Sequence, residues 1–291
     1  MRTTQNDLTQ RIQQASLTRK QQVIADYLIK NQNRVCTLSC LAIAREIGVS
    51  DASVIRFARA IGYGGFSDLK AACYQRLTQE AAQTAVGELP PAARLDMQFE
   101  KYHDLDLFQE LPRLLCGNVE QSIRQNRPEV YQRVVDAICS SRNIFIVGLR
   151  GGIGPAVNFG RFLSFLADNV RVITSGEGDA FAQLQSLSPG DMVLAISFAR
   201  YYKVDSLIAD LVKRKGATLC TVADSAKSPL AQRADTLLLV QTQHFGFSNS
   251  MVGTLSVLEY LLTLLSWKNP QKYHRRLAER EQIMDPFYSR E

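Results

Sequence analysis

Two arginines three residues apart, Arg56 and Arg59, stand in the stretch GVSDASVIRFARAIGYGGF at residues 48–66. Read as a helix over residues 51–61, the stretch puts Val54, Phe57, Ala58 and Ile61 at i, i+3, i+4 and i+7, one apolar stripe, and turns Ala52, Arg56 and Arg59 the other way. A short helix with a packed back and a small, cationic front suits a groove lined with phosphate. Ser50 and Ser53 are placed to donate to phosphates near the helix start. With Thr37, Ser39 and Lys70 they complete the candidate contact set for double-stranded DNA. The plain alternative is an amphipathic helix with solvated arginines.

A second group of residues suits a small anion. In GLRGGIGPA, residues 148–156, the glycines permit close backbone approach to an anion at the start of a following helix. In SFARYYKVD, residues 197–205, Ser197 can hydrogen-bond a ligand oxygen, while Arg200 and Lys203 add charge. The candidate effector set is therefore Arg150, Gly151, Gly152, Ser197, Arg200 and Lys203. A glycine turn that only lets strand and helix pack is the competing explanation for the first loop, and a solvated charge cluster for the second, with Lys203 fitting it best. A dinucleotide site is not expected, because the spacing is not GxGxxG and no acid ends the following strand. Aldose–ketose isomerisation would need a positioned base. The candidates near strand ends are Glu177 and His244, and neither has an identifiable partner, so no catalytic residue is assigned. The six cysteines, at 36, 40, 73, 116, 139 and 220, contain no CxxC pair, and the three histidines are scattered, so neither a metal site nor a cofactor is expected.

The elements that must position these residues fall into two modules. The 291 residues suffice for two cores, and residues 1–80 hold 11 basic against 6 acidic side chains, most of the overall +6. A basic module attached to a near-neutral one points to a polyanionic partner for the first part alone. There, Thr18 caps a helix with Val23, Ile24, Tyr27 and Leu28 apolar, ended by Asn31 and Asn33. Thr37 or Ser39 opens a second helix over residues 38–47 that buries Leu41, Ala44 and Ile47. Gly48 makes the turn, and Ser50 caps the helix carrying Arg56 and Arg59. Two short helices joined by a glycine turn form a helix-turn-helix, although a helical hairpin that merely packs has the same periodicity. Ser67 caps a further helix that packs Leu69, Cys73 and Leu77 and turns Lys70 and Arg76 outward.

Residues 81–91, AAQTAVGELPP, read as an inter-domain connection ended by a proline pair. Helical spacing returns over residues 92–127 at Leu105, Phe108, Leu111 and Leu115, with Pro112 interrupting, and packs either on the second module or on a partner subunit. From residue 128 helices alternate with apolar runs at 144–147, 170–173, 192–196, 218–222 and 236–240. Such strands, bare of polar residues and separated by crossover helices, predict a five-stranded parallel sheet covered on both faces. Ligands of such sheets sit beyond the carboxyl ends of the strands, at the loops after 147, 173, 196 and 222. The apolar run at 253–267 is too short to span a bilayer and contains Glu259, so it reads as a core helix available for a subunit interface.

The run LAIAREIGVSDASVIRFARAIGYGGFSDLK resembles the N-terminal helix-turn-helix domain of the RpiR family of bacterial transcription regulators, with the match falling on Gly48, Val49, Ser50, Ser53, Val54, Arg56, Phe57, Gly62, Tyr63, Gly65, Phe66, Leu69 and Lys70. The segments IFIVGLRGG, DMVLAISFARYYKVD and KRKGATLCTVADSAKSPLAQRAD resemble the SIS (sugar isomerase) domain that follows it in that family. SIS domains that hold phosphosugars carry a serine in the first loop and Ser-x-Ser-Gly-x-Thr in the third. This chain has Gly151 and Gly152 in the first, and Ala199, Arg200 and Tyr202 in the third, so only Ser197 remains.

The resemblance implies an all-α helix-turn-helix domain over residues 1–80, a linker and connecting helix over 81–127, an α/β SIS effector domain over 128–268 and a charged tail over 269–291. It implies a cytoplasmic regulator, read as a repressor, whose SIS domain senses a sugar phosphate or other anionic metabolite, acting as a homodimer or homotetramer without membrane association. A SIS-fold isomerase, and a regulator whose SIS domain only dimerises, are the alternatives.

Overall fold

Local capping signals start three helices of the N-terminal region. The computed structural model describes residues 8–31, 35 and 38–287. After α1 (Leu8–Gln14), Thr18 caps α2 (Arg19–Lys30) through a capping box, its side chain accepting from Gln21 N at 3.4 Å while Gln21 Oε1 accepts from Thr18 N at 2.9 Å. Asn31 ends α2 with both its backbone N–H and its side-chain amide on the Tyr27 carbonyl. Ser39 caps α3 (Cys40–Ile47) by accepting from Ala42 N at 3.1 Å, and Gly48 closes it at φ 74°, a left-handed conformation that glycine holds without a Cβ penalty. Ser50 accepts from Ser53 N and opens α4 (Asp51–Ala60); α5 (Phe66–Glu88) follows the glycine-rich turn.

Ile24, Leu28, Ile43, Val54, Phe57, Ala58, Ile61 and Leu69 fill this core. Two expected core residues lie outside it. Leu41 is 49% exposed and Val23 is 50% exposed, and Ile43 and Ala25 are buried in their place. At about 100° per residue, Leu41 points well away from the centre of the stripe formed by Ile43, Ala44 and Ile47. Ser67 sits inside α5 instead of capping it; Asp68 Oδ2 accepts from Gly64 N at 2.9 Å, and the Gly65 carbonyl takes the Leu69 N–H. Asn33 and Thr37, and the side chains of Arg76 and Leu77, lie outside the described residues.

The chain divides into two units between Ala85 and Val86. Residues 81–91 are not a bare connector: α5 runs to Glu88, and the Pro90–Pro91 pair then breaks the chain and starts α6 (Pro91–Tyr102) with proline in the first turn, where no N–H is needed. Pro112 lies within α7 (Leu107–Arg124) without ending it. The carbonyl it leaves without a partner belongs to Phe108, 84% exposed and free to hydrate.

The second unit holds a parallel sheet in the order β2-β1-β3-β4-β5, formed by β1 (Ile144–Gly148), β2 (Val170–Ile173), β3 (Met192–Ser197), β4 (Thr218–Ala223) and β5 (Thr236–Leu239). Alternate residues face opposite layers. Ile144, Ile146, Leu194 and Val222 pack with residues of α8 (Pro128–Ser140), α9 (Ile153–Leu166) and α12 (Val252–Lys268). Phe145, Val147, Val193 and Leu219 pack with residues of α10 (Glu177–Leu184) and α11 (Lys203–Arg214). A last helix, α13 (Pro270–Met284), follows α12. No helix among the described residues is long and apolar enough to cross a membrane.

The sheet edge explains where α7 belongs. Asn126 donates to the Leu239 carbonyl and accepts from the Leu239 N–H, both at 2.8 Å, replacing an absent sixth strand. One turn back, Ser122 Oγ accepts from Gln241 N, and another turn back Asn118 donates to the Gln243 carbonyl. Gly253 lets α12 approach this seam, since a Cβ there would lie 2.3 Å from Ser122 Oγ and 2.7 Å from the Gln241 carbonyl.

At the opposite end of the strands Asp191 ties two loops. It accepts from Arg142 Nε at 3.1 Å, Asn143 Nδ2 at 2.9 Å and Ser188 N at 3.0 Å. Burial alone would raise its pKa, yet these donors hold it down at about 2. Its stabilisation is therefore present above the unfolded carboxylate range near 3.9 and is lost as pH falls through about 2. Asp191→Ala is expected to cost about 2–4 kcal/mol at pH 7. Denaturant titrations should show that deficit narrowing steadily between about pH 4 and pH 2; a deficit independent of pH would remove the ionic account.

Candidate functional site

In α4 the buried face consists of Val54, Phe57 and Ala58. Arg56 and Arg59 are exposed on the other side, with Ala52 beside them. Arg56 Nη2 donates to Ser53 Oγ at 3.1 Å, and Ser53 Oγ lies 2.8 Å from Ser50 Oγ, so a short polar chain runs from the helix cap to the guanidinium. Arg59 Nε donates to the Gly64 carbonyl at 3.4 Å, across the turn. Ser39 and Ser50 spend their side-chain oxygens as caps of α3 and α4, consecutive helices packed on each other. Lys70, expected to face out, is half-buried and donates to the Leu38 carbonyl at 3.0 Å, bracing α5 against the start of α3. Arg11, which carries no signal in the sequence, donates to the Gly62 carbonyl at 2.8 Å and stacks on the Tyr63 ring, holding the glycine turn after α4.

In the second unit a cleft of about 830 Å³ opens at the carboxyl ends of β1, β2 and β3, where a doubly wound sheet places its ligands. Arg150, Gly151, Gly152, Ser197 and Arg200 all line it; Lys203, the first residue of α11, does not. Gly148 has no freedom to be anything else, because a Cβ would meet the Gly152 carbonyl at 2.2 Å and Ala156 Cβ at 2.5 Å. Gly151 is open: a Cβ there would have Phe198 as its nearest neighbour, at 3.8 Å. The helices α9, α10 and α11 all begin without a side-chain cap, and residues at their starts line the cleft; at α9 the Ile153 N–H is bonded to the Arg150 carbonyl and Pro155 has none, and at α11 the Asp205 N–H is bonded to the Tyr202 carbonyl.

The two cleft arginines share an unusual backbone. Arg150 has φ 54° and Arg200 φ 68°, left-handed values that cost a non-glycine residue about 1 kcal/mol or more. Arg150 lies over the Tyr202 ring. The loop carrying Arg200 is pinned by Asp224, which accepts from Ala199 N at 2.8 Å and from Tyr201 OH at 2.7 Å. Burial raises the pKa of the Asp224 carboxyl, and burial together with that carboxyl pushes the Tyr201 phenol up. Ser197 donates to Asp205 Oδ2 at 2.8 Å, so its hydroxyl is oriented from within the cleft wall.

Sequence reasoning does not reach a further arginine in this wall. Arg94 of α6 is 5% exposed, and it lines the cleft together with Asn249. A lone arginine in an amphipathic helix carries no signal that separates it from a solvated one. Of the candidate bases, His244 Nδ1 accepts from Gly246 N at 3.0 Å in a local turn, and the side chain of Glu177 lies outside the described residues.

Comparison with known proteins adds three findings. Residues 6–80 match the family model for the rpiR-family helix-turn-helix domain, and residues 137–264 match that for the SIS domain. The sugar isomerase domain of an RpiR transcription factor from Sphaerobacter thermophilus is similar at 27% identity and TM-score 0.58 over 61% of this chain and 99% of that one. Vibrio vulnificus NanR, solved with ManNAc-6P, is similar at 18% identity and TM-score 0.57 over 98% of this chain and 100% of that one, a likeness of fold.

Proposed function

The chain belongs to the rpiR family, carrying that family's helix-turn-helix domain ahead of a SIS domain, and from this premise we propose that it is a transcription repressor that binds operator DNA through α4 and responds to a small anionic metabolite in the SIS cleft. The observation that carries the DNA-binding half is the exposure of Arg56 and Arg59 opposite the buried stripe of the second helix of the motif. In a helix-turn-helix that helix enters the major groove with its N-terminal part on the bases, while serine hydroxyls and further cations hold phosphates. We assign Ser53, Arg56 and Arg59 to DNA, with Ser39, Ser50 and Lys70 shaping the surface that presents them. Two copies of the chain would read two half-sites, and the largely apolar α12 is the element we assign to subunit contact.

For the effector, Arg150, Arg200 and the uncapped starts of α10 and α11 supply charge and N–H donors where phosphosugar-binding SIS domains use hydroxyls. A sugar phosphate, the ligand class held by the NanR structure, fits that chemistry, as does a carboxylate. An isomerase reading is weaker, because the carboxylate in the cleft lining, Asp205, is engaged with Ser197 and His244 is held in its own turn.

Selection from random DNA duplexes by the full chain tests this reading. It should enrich a site with two related half-sites about one helical turn, or a multiple of it, apart. Addition of the cognate anionic metabolite should then change affinity for that site by about 5–150-fold. Failure to enrich any sequence would overturn the regulator assignment. Enrichment with no response across a panel of sugar phosphates and carboxylates would leave a regulator whose SIS domain only dimerises.

A further inference from the structure

We infer that Arg94 is a ligand-binding residue of the SIS cleft, holding the anionic group of the effector together with Arg200; the inference rests on reading the cleft as the effector site. Arg94 is the buried residue of α6, at 5% exposure. Its Nη1 donates to Asn249 Oδ1 at 2.7 Å and its Nη2 to the Gly87 carbonyl, so both partners are neutral oxygens. Its Nε is buried and has no hydrogen-bond partner among the described residues. A guanidinium removed from water normally faces a carboxylate or phosphate, because neutral acceptors do not return the lost hydration of a full charge.

The charges around Arg94 sharpen the point. Burial first, and the like charge of Arg200 second, lower its pKa, while Asp224 acts the other way. Asp224 spends its two oxygens on Ala199 N and Tyr201 OH, and it pairs with neither arginine by hydrogen bonds. The cleft therefore brings two guanidinium groups together beside two carboxylates that are already hydrogen-bonded, Asp224 to Ala199 N and Tyr201 OH and Asp205 to Ser197. An anion placed between them would relieve the repulsion and lie near the start of α11, which has no side-chain cap. The α6 contribution would also offset the loss of the first- and third-loop hydroxyls, of which only Ser197 remains, since a guanidinium fork binds a phosphate or carboxylate face-on. Asn249 serves as the positioning residue, fixing the Arg94 fork through Nη1.

Inorganic phosphate is the probe. Thermal midpoints of the full chain, of Arg94→Met and of Arg200→Met are measured in phosphate and in chloride at matched ionic strength. The general salting effect of phosphate is common to all three, so the difference between them reports the site. The wild-type chain is expected to rise by about 2–4 °C more than either variant. Arg94→Lys keeps the charge without the fork, and is expected to retain less than half of that excess. If Arg94→Met keeps the full wild-type excess while Arg200→Met loses it, the cleft binds anions without Arg94 and the inference is overturned. If all three chains rise equally, the anionic cleft itself is wrong and the inference falls with it. Should Arg94→Met not fold, a full wild-type excess in Arg94→Lys and in Asn249→Ala overturns the inference in the same way.

Discussion

Phe57→Ala is expected to destabilise the N-terminal unit by about 3–5 kcal/mol, a large part of what a unit of its size holds. Phe57 is fully buried on the inner face of α4, in one core with Ile24, Leu28, Val54 and Leu69. Removing the ring leaves a cavity that the surrounding helices α1 to α5 cannot collapse around without moving α4 itself. Circular dichroism melts should therefore show an early transition confined to helix signal, ahead of the melting of the sheet-containing unit. DNA binding should be lost at temperatures above that transition, although Arg56 and Arg59 remain in the chain. A single unshifted transition would mean that the α4 face is not what holds the unit together.

Gly148→Ala is the second large effect, and it acts by crowding instead of cavity formation. The new Cβ would sit 2.2 Å from the Gly152 carbonyl and 2.5 Å from Ala156 Cβ, contacts with backbone and with a methyl on the first turn of α9 that no rotamer can relieve. The end of β1 and the start of α9 must separate, at about 3 kcal/mol or more, and the turn carrying Arg150 moves with them. Gly151→Ser is the matched control. Its Cβ position is open, so stability should stay within about 0.5 kcal/mol, and the added hydroxyl stands in the loop where phosphosugar-binding SIS domains keep one. Expression yield and thermal midpoint separate the two variants; equal behaviour would show that the first loop is not packed as tightly as the geometry requires.

These outcomes mark what sequence can and cannot reveal. Strands β1 and β3 are legible because buried parallel strands are nearly bare of polar residues, Ser197 at the end of β3 excepted, and all eleven of their positions are indeed buried. The helix-turn-helix is legible because Thr18, Ser39, Gly48 and Ser50 are capping residues with local mechanisms. The phase of a short helix is harder to read. Leu41 and Ile43 are equally apolar, and only the packing of α3 against its neighbours decides which turns inward. The stretch after residue 80 reads as an inter-domain connection and the two units divide within it, but its low apolar content gives no sign that α5 continues to Glu88. The edge seam does carry a signal: Asn118, Ser122 and Asn126 recur every four residues, a polar stripe running from α7 into the turn after it that needs backbone partners once buried. Arg94 and the Ser197–Asp205 pair leave no such trace, since a buried arginine and an occupied hydroxyl are defined by their neighbours in the folded chain.

The claim on which the rest depends is that α4 touches DNA with Arg56. Fluorescence anisotropy on a selected operator duplex, comparing the wild-type chain with Arg56→Ala at fixed salt, tests it most directly. Arg56 is exposed, and its Nη2 bonds only as far as Ser53 on its own helix, so the substitution should leave the thermal midpoint within about 1 °C. The predicted result is a loss of about 5–150-fold in operator affinity, the worth of a good arginine contact to a base or phosphate. Equal affinity of the two folded proteins would contradict it.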